Sequence, residues 1–313
     1  MYYMGVDIGG MSIKCGVVTS NGEIVIKDSI ITPQGDYPDT LKKIADLCKA
    51  VAKKININWD EIIAVGAGIP GTVHEGVVTF ATNLSWYDVP FSKVLGNLLD
   101  KPIKAGNDAN CALLAESSFG AGKGVKNLAM VTLGTGIGTA FLVDGRLLLG
   151  NKSAGTEGGH MIIKSEGKEC KCGLLDCWEA HGSTTALLIK TEEEINNNPE
   201  GTVARIAKEQ GGIDGKTVFI AARQGDMQAI SILNNYINDV AIGLINLANL
   251  LRPELILIGG GISKEEEALI LPLQRIVNKK AYGGTLNPSI KIKRAEFGND
   301  AGIIGAACLA MSE

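Results

Sequence analysis

"NLAMVTLGTGIGTAFLVDGRLLLG", residues 127–150, reads as an apolar strand, a glycine turn, a second apolar strand and an Asp-Gly hairpin. The chain opens on the same pattern, "YYMGVDIGGMSIKCGVVTSNGEIVIKDS" over residues 2–29. Laying Val6-Asp7-Ile8-Gly9 on Val131-Thr132-Leu133-Gly134 brings the turns Asn21-Gly22 and Asp144-Gly145 to within two residues of register. Self-similarity at such a spacing predicts two related α/β domains, each starting with a strand, a glycine turn and a strand. Chance likeness of two glycine-rich hairpins is the alternative.

Working outward, "PDTLKKIADLCKAVAKK" (38–54) sets Leu41, Ile44, Ala45, Leu47, Cys48 and Val51 on one helical face. "IIAVGAGIPG" (62–71) and "PIKAGND" (102–108) read as buried strands, and "ANCALLAESSFG" (109–120) as a helix ending at Gly120. Residues 183–251 read as mostly helical, interrupted by "TEEEINNNPEG" (191–201) as an exposed loop. The last long helix of this stretch stops before Pro253. "ELILIGGGIS" (254–263) is a strand running into glycines, and "GNDAGIIGAACLA" (298–310) a helix of small residues. Strands alternating with helices predict an α/β fold. The expected bounds are 1–117 for the first lobe, with a helix at about 299–313 returning to it, and 118–298 for the second.

The 313 residues are 45% apolar and 20% charged with a formal charge of −4, which gives no basic footprint for nucleic acid. No cationic, apolar leader precedes the first strand, and the longest apolar run, "AMVTLGTGIGTAFLV", is too short to span a bilayer. The expectation is a cytoplasmic protein without membrane or nucleic-acid partners. An odd count of seven cysteines argues against a disulfide framework. Cys15, Cys48, Cys111 and Cys308 sit among apolar neighbours and read as buried thiols.

The other three cysteines cluster in "HMIIKSEGKECKCGLLDCWE" (160–179). His160, Cys170, Cys172 and Cys177 supply one imidazole and three thiols, a set suited to tetrahedral Zn2+. A redox reading lacks its C-x-x-C, and unliganded thiols are the third option. Four protein ligands leave no open position for an activated water, so such a zinc would be structural.

The turns "DIGG" (7–10) and "LGTGIG" (133–138) fit neither a P-loop nor a dinucleotide fingerprint, because a strand follows each. Each sets bare backbone amides in a tight turn, a geometry that can wrap a phosphate, or is a plain hairpin. As a pair they make a plausible clamp for a nucleotide, with Asp7 placed to meet Mg2+. "PIKAGND" puts Asp108 at the start of a helix, where aspartate is also a favoured N-cap.

"DIGG", "GIPG" (68–71), "NDAN" (107–110), "LGTGIG", "TEGGH" (156–160), "CKCGLLDCWE" (170–179) and "LIGGG" (257–261) together resemble the ROK family, in the family's order and over nearly the whole chain. The resemblance implies a two-lobed actin-like, hexokinase-like ATPase fold with ribonuclease H-like lobes and a zinc-stapled loop in the second. It implies ATP and a hexose bound between the lobes, and hexose phosphorylation in the manner of a glucokinase of glycolysis. Asp108 is then the general base, with Gly71, Asn83, Asn107, Glu157, His160 and Glu179 contacting sugar. Nucleotide and Mg2+ fall to Asp7, Gly9, Gly10, Ser12, Lys14, Gly134, Thr135, Gly136, Gly138 and Gly260. A homodimer is also implied, and closure about glycines near 298–305. Other hexoses, N-acetylhexosamines and a sugar-sensing regulatory role are the alternatives; the family's regulators carry a helix-turn-helix ahead of "DIGG", for which six residues leave no room. The chain departs from the usual pattern at Met11, where threonine is usual, at Thr156 and Asp176, where glycine is, and at Gly158, where a larger apolar residue is.

Overall fold

The computed structural model describes residues 1–312. The chain divides into two compact units: Met1–Val125, Ala140–Thr156 and Glu296–Glu313 form the first, Lys126–Thr139 and Glu157–Ala295 the second. Residues 140–156 thus belong with the first unit, a return that the expected boundary at 117/118 does not contain. Among the described residues, no helix is long and apolar enough to cross a membrane.

The first unit starts with β1 (Tyr2–Ile8), β2 (Ser12–Thr19), β3 (Ile24–Ile31) and α1 (Tyr37–Lys54). There follow β4 (Ile62–Ile69), β5 (Thr72–His74), β6 (Val77–Ala81), β7 (Trp86–Val89), α2 (Phe91–Leu99), β8 (Ile103–Asn107) and α3 (Asp108–Phe119). Its main sheet has the order β3-β2-β1-β4-β8. β1 is antiparallel to β2, pairing Val6 with Cys15, and parallel to β4, pairing Val6 with Ala67. The small sheet β5-β6-β7 and helix α2 were not anticipated from the sequence.

α1 begins at Asp36, whose side chain accepts the amide of Asp39, and buries all six residues expected on its inner face. Each fully buried aliphatic side chain there contributes about 1.5–3 kcal/mol.

The second sheet repeats the order of the first as β11-β10-β9-β12-β13. Its strands are β9 (Leu128–Leu133), β10 (Ile137–Val143), β11 (Arg146–Leu147), β12 (Leu255–Gly259) and β13 (Lys291–Arg294). Val131 pairs in parallel with Ile258 of β12, the counterpart of Val6 with Ala67. Between β11 and β12 lie α4 (Trp178–Gly182), α5 (Thr184–Asn197), α6 (Thr202–Gln210), α7 (Thr217–Arg223) and α8 (Met227–Leu251). α9 (Leu271–Lys280) precedes β13. The expected loop at 191–201 is a correction, because α5 continues to Asn197. Thr191 faces the core and donates its hydroxyl to the Leu187 carbonyl at 2.8 Å, so the Glu-rich run is a helix's solvent face.

α10 (Ala301–Met311) belongs to the first unit and lies directly on β1 and β4. Gly5 and Gly66 face each other in the register of those strands. A methyl group on either would collide with the α10 backbone, at Ile303 and Ala306 respectively. Of the glycines expected as hinge points, Gly302 and Gly305 lie inside α10 and serve close packing against Asp7 and Cys111; Gly298, at φ +53°, precedes the helix.

Fully buried Glu116, near the end of α3, accepts the amides of Glu296 at 2.7 Å, Phe297 at 2.9 Å and Ala121 at 3.0 Å. Burial pushes its carboxyl above the ordinary range, while the three amide donors act the other way.

Candidate active site

In the first unit the turn between β1 and β2 is closed by the Gly9 amide donating to the Ser12 carbonyl at 2.9 Å. Thr32 braces it from β3's end: its hydroxyl donates to the Gly9 carbonyl at 2.6 Å and its amide to the Met11 carbonyl at 3.0 Å. A methyl group on Gly10 would stand 3.7 Å from Asn83 Cβ, so the two residues are neighbours. Asp7 pairs with Lys14 across the hairpin at 3.3 Å, so this lysine is a partner of the carboxylate. The Asp7 carboxylate also rests over Gly302, where any side chain would strike it. Met11 is 82% exposed and contributes only its backbone to the turn.

The N-cap of α3 is Asn107, a correction to the aspartate reading. Its Oδ1 accepts the amides of Ala109 at 2.9 Å and Asn110 at 3.2 Å, and its Nδ2 donates to the Gly71 carbonyl at 3.2 Å. Asp108 is the first residue of the helix proper, where Oδ1 accepts the Ala109 amide at 2.8 Å. Gly68 lies against the Asp108 backbone, so "GIPG" and "ND" form one corner of the unit.

In the second unit the turn between β9 and β10 is closed by the Gly134 amide donating to the Gly136 carbonyl at 3.0 Å. The start of α5 grips it from below. The Thr184 amide donates to the Gly134 carbonyl at 2.9 Å, and its hydroxyl to that of Leu133 at 3.0 Å. Thr185 donates to the Thr135 carbonyl at 2.8 Å, and the Gly138 amide to Thr132 Oγ1 at 3.2 Å. A cavity of about 370 Å³ opens beside this turn, lined by Gly134 and Thr135, Leu188 of α5, the Asp214–Lys216 loop and Gly261. Exposed Lys216 and Lys264 are also among its lining residues. Gly260 does not line it: at φ +93° its backbone packs on Leu133 and turns the chain so that Gly261 does.

His160, Cys170, Cys172 and Cys177 converge with their ligand atoms within 4.8 Å of one another, close enough to hold a metal ion. His160 Nδ1 lies 3.9 Å from Cys170 Sγ, and Cys172 Sγ lies 3.6 Å from Cys177 Sγ. Ligands about 2.3 Å from a tetrahedral ion stand ~3.8 Å apart, so three sulfurs and a nitrogen at these separations fit one. Burial, and then the neighbouring thiols, push Cys177 up to about 12, which favours its neutral thiol; a divalent ion reverses that preference. Nδ1 faces the cluster, leaving Nε2 as the histidine nitrogen for any other partner.

The loop bearing these ligands is pinned to α8. Trp178 is fully buried, donates Nε1 to the Asp239 carbonyl at 3.1 Å, and packs so tightly on Gly243 that no side chain fits there. Lys164 adds an ion pair to Asp239 at 2.8 Å. Asp176 holds φ +58° and Thr156 φ +68°, which explains why glycine suits both positions. Here each uses its side chain: Thr156 donates to the Gly155 carbonyl at 2.6 Å, and Asp176 accepts the amides of Gly167 and Lys168. Gly158 leaves room for Thr139, whose hydroxyl accepts the Gly158 amide at 2.9 Å.

Glu157 keeps an exposed surface, yet burial of its carboxyl pushes it up, His160 pulls it down, and Glu179 adds to the rise. Glu179 Oε2 accepts the Ile137 amide at 2.9 Å, and Oε1 lies 3.8 Å from Cys170 Sγ. Thr32, Thr139, Asp176 with His181, Thr184 and Thr185 were not singled out for these duties from sequence. Only Asp176 carried a signal, its departure from glycine.

The ROK family model matches residues 3–313. A glucokinase of Streptomyces coelicolor is 34% identical over 312 residues, covering 98% of this chain and 96% of that one. A glucokinase of Thermotoga maritima is 33% identical over 315 residues, with 98% and 96% covered. The crystal structure of a ROK family glucokinase from Streptomyces griseus, in complex with glucose and AMPPNP, superposes with a TM-score of 0.86 at 31% identity and 99% coverage of both chains. Like those proteins in sequence and in its two-lobed α/β fold, the chain belongs to the ROK family.

Proposed function

We propose that this protein is an ATP-dependent hexose kinase acting on glucose. The carrying observation is the glycine turn at Gly134 and Thr135 lining a 370 Å³ cavity of largely apolar wall, with two exposed lysines also lining it. Such a site suits a purine base inside and phosphates at its mouth. The repeated sheet order supports the actin-like ATPase reading.

Phosphoryl transfer asks for an aligned hydroxyl, a base within reach and donors around the moving group. Asp108 takes the proton of the attacking hydroxyl. Glu157, Glu179 and His160 Nε2 bind the remaining hydroxyls, with Gly71, Asn83 and Asn107 completing the sugar contacts. Gly134, Thr135, Gly136 and Gly138, with Gly260 shaping the cavity wall, hold nucleotide. Gly9, Gly10 and Ser12 supply backbone donors to phosphate, and Lys14 tethers Asp7. Mg2+, when bound, neutralises phosphate charge near Asp7. Zn2+ suits the three-sulfur, one-nitrogen cluster and would hold its loop.

The decisive experiment is ADP release with Mg·ATP across a panel of hexoses and N-acetylhexosamines. Release with glucose alone is expected. Release with another sugar moves only the pocket assignment, and Thr156 and Gly158 beside Glu157 are where it would differ. Silence with every sugar overturns the kinase reading in favour of a regulatory one. The same reading extends to a cytoplasmic homodimer; light scattering of the purified protein tests its mass.

A further inference from the structure

We infer that Glu179 is also a positioning residue for the nucleotide, locking the metal loop to the phosphate turn. This rests on the kinase reading and goes beyond the sugar contact proposed above. Oε2 accepts the Ile137 amide at 2.9 Å, directly after the Gly134–Gly136 turn. A side chain on Gly136 would collide with that oxygen and stand 2.8 Å from Cδ, so the carboxylate fills the space that the missing side chain leaves. Gly136 is therefore glycine for the sake of Glu179, quite apart from any phosphate.

The other oxygen, Oε1, lies 3.8 Å from the cluster sulfur of Cys170. One carboxylate thus spans from the cysteine cluster to the turn. The Ser183 amide donates to the Glu179 carbonyl at 3.2 Å, and Thr184 and Thr185 hold Leu133, Gly134 and Thr135. The whole turn is thereby gripped from residues 179–185, a segment that starts two residues beyond Cys177. Two consequences follow. The Ile137 amide is committed to Glu179 and is not a phosphate donor. Glu179 offers a sugar hydroxyl Oε1 and only the remaining lone pair of Oε2, where a free carboxylate would offer both oxygens in full.

The test is AMPPNP binding by calorimetry to sugar-free protein, with Mg2+, for wild type, Glu179→Gln and Glu179→Ala, and with metal content measured on each sample. Glutamine can still accept the Ile137 amide, so its affinity should stay within about 2-fold of wild type while sugar binding weakens. Alanine leaves that amide unpaired, and nucleotide affinity should fall about 3–10-fold at unchanged metal content. Hydrogen exchange of the peptide around Ile137 should quicken in Glu179→Ala and not in Glu179→Gln. Gly136→Ala gives an independent route should Glu179→Ala fail to fold: it should weaken AMPPNP by a similar factor. Wild-type affinity and exchange in a folded, metal-loaded Glu179→Ala, or in Gly136→Ala, would overturn the inference alone. Failure of the wild type itself to bind AMPPNP would bring down the kinase reading, and this inference with it.

Discussion

Oδ1 of Asp176 lies 2.9 Å from Nε2 of His181, with 5% and 4% of the two side chains exposed. The same carboxylate accepts the amides of Gly167 at 2.7 Å and Lys168 at 3.0 Å. Burial acts to raise the Asp176 carboxyl, but His181 and these amides outweigh it and hold the group below its usual range. A residue adjacent to a cluster cysteine therefore shapes the loop through bonds of its own.

Asp176→Gly relieves a left-handed backbone and removes all three bonds. Metal affinity, read by competition with a chromophoric chelator, should fall about 10–100-fold, the range for groups that orient metal ligands. Unchanged affinity would show that the four ligands alone define the loop.

Cys172 is the exposed member of its cluster. Cys172→Ser should nonetheless empty the site, because all four donors are needed to close the coordination sphere. If the cluster holds Zn2+ as proposed, elemental analysis should drop from one zinc per chain toward none, with a lower Tm and weaker sugar binding. Full sugar affinity in metal-free protein would separate the loop from the sugar.

Asp108→Asn preserves an oxygen for the Ala109 amide, so the start of α3 should survive. Turnover should fall about 10²–10⁴-fold, with sugar affinity nearly unchanged. Wild-type turnover would remove Asp108 from the chemistry.

In its proposed role Glu157 accepts sugar hydroxyls best when ionised, and its carboxyl is raised, first by burial and also by Glu179. Sugar affinity should thus start to fall at a higher pH than an ordinary glutamate would give, because protonation as pH drops removes the acceptor. In Glu157→Gln affinity should be lower at neutral pH and flat across that acid limb. An acid limb that persists in the variant would assign it to another group.

Local pattern carried α1 and the two larger sheets apart from β13, since strand and helix periods are written in consecutive residues, but not the small sheet β5-β6-β7. The same reasoning failed at residues 191–197, where three glutamates resembled a loop because the single inward residue, Thr191, is polar. It put the cap on Asp108, one residue late; the cap is Asn107, whose amide is also held by Gly71, 36 residues earlier. The cysteine cluster was legible because its ligands lie close in sequence. Glu179 meeting Ile137 was not, for no local signal joins residues 42 positions apart.

Glu116 gives α3 a further significance. The three amides that it gathers, at Ala121, Glu296 and Phe297, lie near the first and the last of the four places where the chain passes from one unit to the other, at 125/126 and 295/296. Asp108 stands at the opposite end of the same helix, eight residues or about 12 Å away. Helix α3 thus holds Ala121, Glu296 and Phe297 at one end and carries the proposed base at the other. The carboxylate that gathers those three amides and the one proposed to take the proton are thus set by a single helix of the first unit.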